Sequence, residues 1–349
     1  MTTKRFLPLT HASAFLVWGL LASAFITTAD AASRVRVNLG TLAPRGSLYH
    51  KSLQTMGEEW RKTTDGNVRL VIFPDGTQGG EADMVRLMRI GTLQAGLFTA
   101  VGLTDIEAGV AGLQTLPMMF RSLDEFEYVN ERLRPTLEKR LADKGFVVLF
   151  WADAGWVRYF SKNPIRTPDD LRKTKVFVWA GSTKQVDLMK SSGYSPVPLE
   201  TSDILTGLQT GLIGALSAPP IYALAYQIDL PAPHMLELNW APLVGGAIIK
   251  KDDWERIPES QRTELLAIAR RIGKEVQDQS RLENEEAVKA MQKRGLQVHL
   301  VSPEIENLWR TETEKFYPQI RGSLVPADIF DDVVKLLKEY RSGARPPKP

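Results

Sequence analysis

The chain has 349 residues, 43% of them hydrophobic and 24% charged, with a formal net charge of +3 and no cysteine. That is the composition of a soluble globular protein with room for two domains of ordinary size. Basic residues are interspersed with acidic ones, which argues against a phosphate-binding groove and so against nucleic acid, and the missing cysteines exclude thiol catalysis and cysteine-ligated metals.

The first 31 residues read as a secretory signal peptide. Lys4 and Arg5 give a positive start, Ala12 to Ile26 an apolar run of 15 residues, and Ala29-Asp30-Ala31 a small-x-small cleavage pattern. The run is short for a membrane span, although an uncleaved anchor is the alternative. No cysteine follows it, so a lipid anchor is excluded. Removing two basic residues and one acidic one leaves the mature chain at +2.

Arg34 to Leu39 alternates as a strand, and Tyr49, Leu53, Met56 and Trp60 recur at helical spacing. Val68 to Phe73 is a second strand, closed by Pro74-Asp75-Gly76. Gly79-Gly80-Glu81 opens a helix with Met84, Leu87 and Met88 on one face. Gly91 ends it, and Ala95 to Thr99 is the third strand. This β-α-β-α-β order predicts a doubly wound α/β sheet.

A second cycle follows. Phe146 to Trp151 and Val157 to Ser161 read as two strands. Thr167-Pro168-Asp169-Asp170 is a helix start, with a capping Thr, a proline at the first position and acids in the first turn. Lys175 to Trp179 (KVFVW) is a strand with Phe177 and Trp179 on one face and Val176 and Val178 on the other. Helices over Lys184 to Lys190 and Thr201 to Thr210 come next, then a strand from Leu212 to Ser217. RIGTLQAGLF and QTGLIGALSA both run helix end, glycine, apolar strand, as two similar α/β halves would; coincidence is the competing explanation. From Ser260 to Arg294 there is no proline and only Gly273, with Leu265, Ile268, Ile272 and Val276 in a stripe. A helix of that length spans about 50 Å and would touch both halves; two helices broken at Gly273 are the alternative. The tail RSGARPPKP reads as disordered.

Catalytic signatures are missing: no GxSxG, HExxH, GxGxxG or Walker motif occurs. His50, His234 and His299 are far apart in sequence and none lies in a ligand-like cluster of the sequence, and Asp252-Asp253 and Asp331-Asp332 fit helix starts. Nothing calls for a cofactor or a metal. The profile is that of a cleft-closing binding protein rather than an enzyme.

Specific segments then carry a family likeness. Gln78-Gly79-Gly80-Glu81, Leu116-Pro117-Met118-Met119-Phe120, Asn163-Pro164-Ile165-Arg166-Thr167-Pro168-Asp169-Asp170-Leu171, Gly207-Leu208-Gln209-Thr210-Gly211 and the helix after Trp254-Glu255-Arg256-Ile257-Pro258 occur in order. With them the chain, from about Arg36 to Tyr340, resembles the solute receptors of tripartite ATP-independent periplasmic (TRAP) transporters, in the dicarboxylate-receptor-like branch. The resemblance implies a two-lobed α/β periplasmic binding protein, with mixed sheets flanked by helices and a long connecting helix spanning both lobes. Lobe I would comprise residues 32–155 and 244–283, and lobe II residues 156–243 and 284–341, with a disordered tail from 342. It also implies capture of an organic acid between the lobes and handover to membrane-embedded permease subunits, the receptor being a monomer or a dimer.

Two positions depart from the family pattern. The resemblance places a carboxylate-gripping arginine where this chain has Phe177, and a hydrogen-bonding asparagine where it has Ala218. Arg158 aligns with a second family arginine that points into the cleft. Phe177, Trp179, Trp156 and Trp240 would then line a pocket for an amphipathic ligand with at most one acidic group, with Gly80 and Glu81 at its edge. A conventional small carboxylate held by Arg158, or aromatics that merely fill core, are the alternatives. Service to a lipid or signalling partner, or an exported enzyme, are the rival functions.

Overall fold

The computed structural model describes residues 34–343. The signal peptide expected over residues 1–31 and most of the expected tail lie outside them. The first half runs β1 (Val35–Thr41), α1 (Leu48–Thr63), β2 (Val68–Phe73), α2 (Glu81–Arg89), β3 (Ala95–Thr99), α3 (Ala100–Thr104) and α4 (Leu123–Asp143). Then come β4 (Phe146–Ser161), α5 (Pro168–Arg172), β5 (Lys175–Trp179), α6 (Thr183–Ser191), β6 (Ser195–Leu199), α7 (Ile204–Thr210), β7 (Ala215–Ala218) and α8 (Pro220–Ala225). The chain closes with β8 (His234–Lys250), α9 (Lys251–Glu255), α10 (Glu259–Gln292), β9 (Gln297–His299), α11 (Pro303–Glu314), α12 (Tyr317–Ile320) and α13 (Ala327–Arg341).

The strands lie in the order β2-β1-β3-β8-β4-β7-β5-β6, with β9 alongside β8. At each end the pairing is parallel, as the βαβ pattern demands: β1 with β2 and β3, and β5 with β6 and β7. Between them β8 runs antiparallel to β3 and β4, and β4 antiparallel to β7. The sheet is therefore mixed, and its two parallel ends are joined by two long strands. The predicted strands at 146–151 and 157–161 are one strand, β4, interrupted by a register shift between Asp153 and Trp156. Gly155 sits in that bulge at φ 72°, where a side chain would be strained.

Apolar side chains collect on both faces of each end of the sheet. α1 and the first half of α10 cover one face of the β1 end through Leu53, Met56, Trp60, Leu265 and Ile272. α2, α4 and α13 cover its other face. At the β5 end, Ile204, Leu208 and Met291 pack on one side, and Leu171 and Trp309 on the other. α10 is unbroken over 34 residues. It contributes to the cores at both ends of the sheet, as the uninterrupted reading of its sequence expects. Gly273 does not break it; the position is glycine because an added Cβ would lie 2.5 Å from the Phe150 Cβ.

One expected grouping changes. Residues 327–341 were assigned by sequence to lobe II, but α13 packs Ile329, Phe330, Val333 and Leu337 with α4 in the first-half core. Arg341 at its end makes a bidentate pair with Glu125 at the start of α4, both bonds 2.8 Å. The amphipathic stripe of α13 was readable, but not which half of the chain would bury it.

Candidate functional site: an interlobe cleft

α5 delivers the chain into β5 through a capping box, in which Thr167 accepts from the Asp170 N–H and Asp170 accepts from the Thr167 N–H. β5 is β-branched and aromatic, as a strand buried on both faces should be. Phe177 and Trp179 share one face and meet edge to face, with centroids 5.1 Å apart. Phe177 packs with Ile204, Leu208 and Ala218. Val176, on the other face, packs with Tyr159, Leu171 and Tyr194.

The carboxyl end of β5 opens into a cleft of about 1000 Å³. The end of β3, through Phe98 and Thr99, and the start of α2, through Glu81, approach from the other half of the chain. Crevices beyond the carboxyl ends of parallel strands are where such sheets bind ligands. The lining is mainly apolar and aromatic. Its basic members are Lys51 and Lys184, and no arginine lines it among the described residues. Lys184 donates to the Ser323 carbonyl at 3.0 Å.

Of the residues expected at the site, Phe177, Trp179, Ala218, Trp240 and Glu81 line the cleft. Gly80, Trp156 and Arg158 are not among its lining residues. Gly80 caps α2, and a Cβ there would lie 2.6 Å from a Glu200 carboxylate oxygen, so it is a point of close approach. Trp156 packs at the edge of the first-half core. Arg158 pairs with Glu237 at 3.5 Å, and burial lowers its guanidinium pKa. The bulge explains the difference. Ala152 and Ala154 face the cleft before it, and Val157 and Tyr159 after it. The extra residue switches the parity of the strand, and Arg158 lands on the opposite face.

Glu81 is 7% exposed and engaged by the protein itself. Its carboxylate accepts from the Thr99 N–H and hydroxyl, both at 2.7 Å, and from the Gly102 N–H at 2.8 Å. Burial pushes its pKa up, and those donors oppose the rise. It ties α2 to the β3–α3 turn and forms part of the wall. Sequence reasoning missed Tyr159 and Phe98 as cleft residues, whereas the Tyr222–Tyr226 pair, four apart after Pro219-Pro220, offers one ring to the cleft edge or to the core, and Tyr222 lines the cleft. Only Tyr159 left a signal, a Gly155 able to bulge and reset the alternation. Across the cleft, Tyr226 donates to the Leu42 carbonyl at 3.2 Å while its ring rests 4.4 Å from that of Tyr222.

A cleft between two α/β halves, with two long strands and one long helix shared by both, defines a two-lobed solute-binding protein. The chain belongs to the bacterial extracellular solute-binding protein family 7 (DctP), whose family model matches residues 39–322. That family is one of binding proteins rather than enzymes. A curated relative, the uncharacterized protein YiiZ of Salmonella typhimurium, is 29% identical over 165 residues. The match spans 46% of this chain and only half of that one. Among solved structures, a TRAP periplasmic solute-binding protein from Sulfurospirillum deleyianum with bound succinate superposes at TM-score 0.79 and 19% identity. It covers 88% of this chain and 99% of that one. A second, from Ralstonia eutropha with bound acetolactate, gives TM-score 0.81 at 16% identity, covering 87% and 99%. At these identities the likeness establishes the two-lobed fold alone. Among the described residues no helix is long and apolar enough to cross a membrane.

Proposed function

We propose that this protein is the periplasmic solute receptor of a TRAP transporter, capturing one organic ligand in the cleft and delivering it to integral membrane permease subunits. The ligand is amphipathic, with an apolar or aromatic body and at most one acidic group. One observation carries this reading: the cleft is walled by Phe177, Trp179, Ala218 and Trp240, and its basic lining residues are two lysines. A dicarboxylate would ask for charge-assisted bidentate partners that this lining does not offer. Apolar ligand surface gains about 25 cal/mol per Å² buried against such rings instead. The lobes hinge where the β4 bulge at 153–156 faces residues 242–244 of β8. The succinate and acetolactate bound by the two similar structures belong to those proteins, and the lining here argues for a more apolar cargo.

Native mass spectrometry of the protein purified from its own host tests the reading. A co-purified mono-acid or neutral amphiphile is expected, released on denaturation in a one-to-one ratio. A set of small dicarboxylates would overturn it. Phe177→Arg should weaken binding of that ligand at least about tenfold, through the cost of a guanidinium desolvated in an apolar wall. Unchanged affinity would mean Phe177 serves only the core.

A further inference from the structure

The cleft face of β4 ends in Tyr159, and this side chain has an unusual setting. The residue is 4% exposed, yet it lines the cleft. Its ring stacks on Trp309 at 6.1 Å and meets Trp240 edge to face at 5.2 Å, while the two tryptophans lie 6.0 Å apart. Burial pushes the phenol pKa far up, and the neighbouring Tyr194 adds to the rise, so the group stays protonated and can donate. Among the described residues its hydroxyl has no hydrogen-bond partner. The oxygen is not among the fully buried side-chain atoms left without a partner, so it meets the cleft, and a ligand that covers it without bonding it forfeits its hydration. The Trp309 indole is otherwise engaged, donating to the Arg166 carbonyl at 2.9 Å. The arginine nearest in this cluster is engaged as well. Arg172 lies over the Tyr194 ring at 5.1 Å and is held by Asp169 and Glu312.

We infer that Tyr159 is a specificity-determining ligand contact, selecting solutes that carry an uncharged oxygen, a hydroxyl or a carbonyl, at the end remote from their acidic group. This rests on the receptor reading above and deepens it. A carboxylate placed there would face one neutral donor inside an aromatic cage and would lose most of its hydration. A hydroxyl or carbonyl loses far less and accepts from the Tyr159 O–H that it covers. A purely hydrocarbon tail leaves that O–H unmade, so the site discriminates against the deoxy analogue rather than merely favouring the oxygenated one.

Matched pairs test this by isothermal titration calorimetry: phenylacetate against para-hydroxyphenylacetate, and hexanoate against omega-hydroxyhexanoate. In the native protein the oxygenated member of at least one pair should bind about five- to tenfold more tightly, the worth of one buried hydrogen bond. Tyr159→Phe keeps the ring and should bring that ratio to near one. Loss of cage packing alone would weaken both members equally and leave the ratio intact, so the ratio separates a contact from a structural role. Binding without an oxygen preference, or a preference that survives Tyr159→Phe, overturns the inference and leaves the receptor reading standing. Binding by no member of either pair overturns both for acidic amphiphiles.

Discussion

At the scale of single residues, the β4 bulge rests on one buried carboxylate. Asp153 is 1% exposed and lies beside the β4 bulge. It accepts from the Gly155 N–H at 3.1 Å, from Gln277, and from Arg281 at 3.2 and 2.8 Å. Its backbone carbonyl takes the Tyr49 hydroxyl at 3.1 Å and that of Ser280 at 2.9 Å. Asn284, one turn on, donates to the Ala154 carbonyl and accepts from the Ile221 N–H, which binds the bulge to both α10 and α8. Asp153→Ala would leave Arg281, in a site only 19% exposed, with Glu127 at 3.3 Å as its remaining acidic partner, and would strip the Gly155 N–H and Gln277 of their acceptor. A loss of about 3 kcal/mol is expected, readable as a lower urea midpoint with unchanged slope. A loss below about 1 kcal/mol would show that Glu127 and solvent suffice for Arg281 without Asp153. The residue scale is also where sequence reading divided. Phe177 and Trp179 were placed on one face by simple alternation, and that alternation holds within β5. Arg158 was not placed by it, because a bulge counts as one more residue and nothing in a run of letters marks which glycine will take it.

At the scale of elements, legibility followed local chemistry. β2, β3 and β5 begin and end where alternation and turn residues put them, and α5 starts at its capping box. α4 went unread because Pro135 lies inside it and interrupts the expected helical run. β8 went unread for a related reason: Pro242, Gly245 and Gly246 look like turn residues. Here they are tolerated because the strand is bulged against β4 at the first and passes close to Phe98 and Phe150 at the others. α10 shows how packing overrides propensity. Alanine is favoured over glycine in a helix interior by about 1 kcal/mol. Yet a Cβ at position 273 would meet the Phe150 Cβ at 2.5 Å, and that atom is fixed to the β4 backbone. Gly273→Ala should therefore lower stability by about 1–3 kcal/mol, seen as a fall in Tm by circular dichroism. A rise in Tm would mean that α10 can lift from β4 without loss, and the helix would then be a poor coupler of the two halves.

At the scale of the whole molecule, the connections between halves decide how it unfolds. Two lobes joined by flexible strands would melt as separate units, each around its own core. This chain is built differently. β4 and β8 each cross from one end of the sheet to the other and pair along most of their length. α10 buries Leu265 to Val276 in one core and Met291 in another. α13 returns the C-terminal end of the described chain to the first-half core after α11 has packed in the second. No cut through the bulge separates the halves without breaking the long strands, the long helix or the clamp around Asp153. On the proposed receptor reading, closure is a bend at the bulge rather than a sliding of independent bodies. The expected result is one urea transition, coincident by far-ultraviolet and near-ultraviolet circular dichroism, and displaced to higher urea by the co-purified ligand. The displacement should grow with the logarithm of free ligand, because the ligand binds the folded state and not the unfolded one. Two separated transitions, with only one of them moved by ligand, would mean that a single half holds the solute and that the shared elements do not couple the cores.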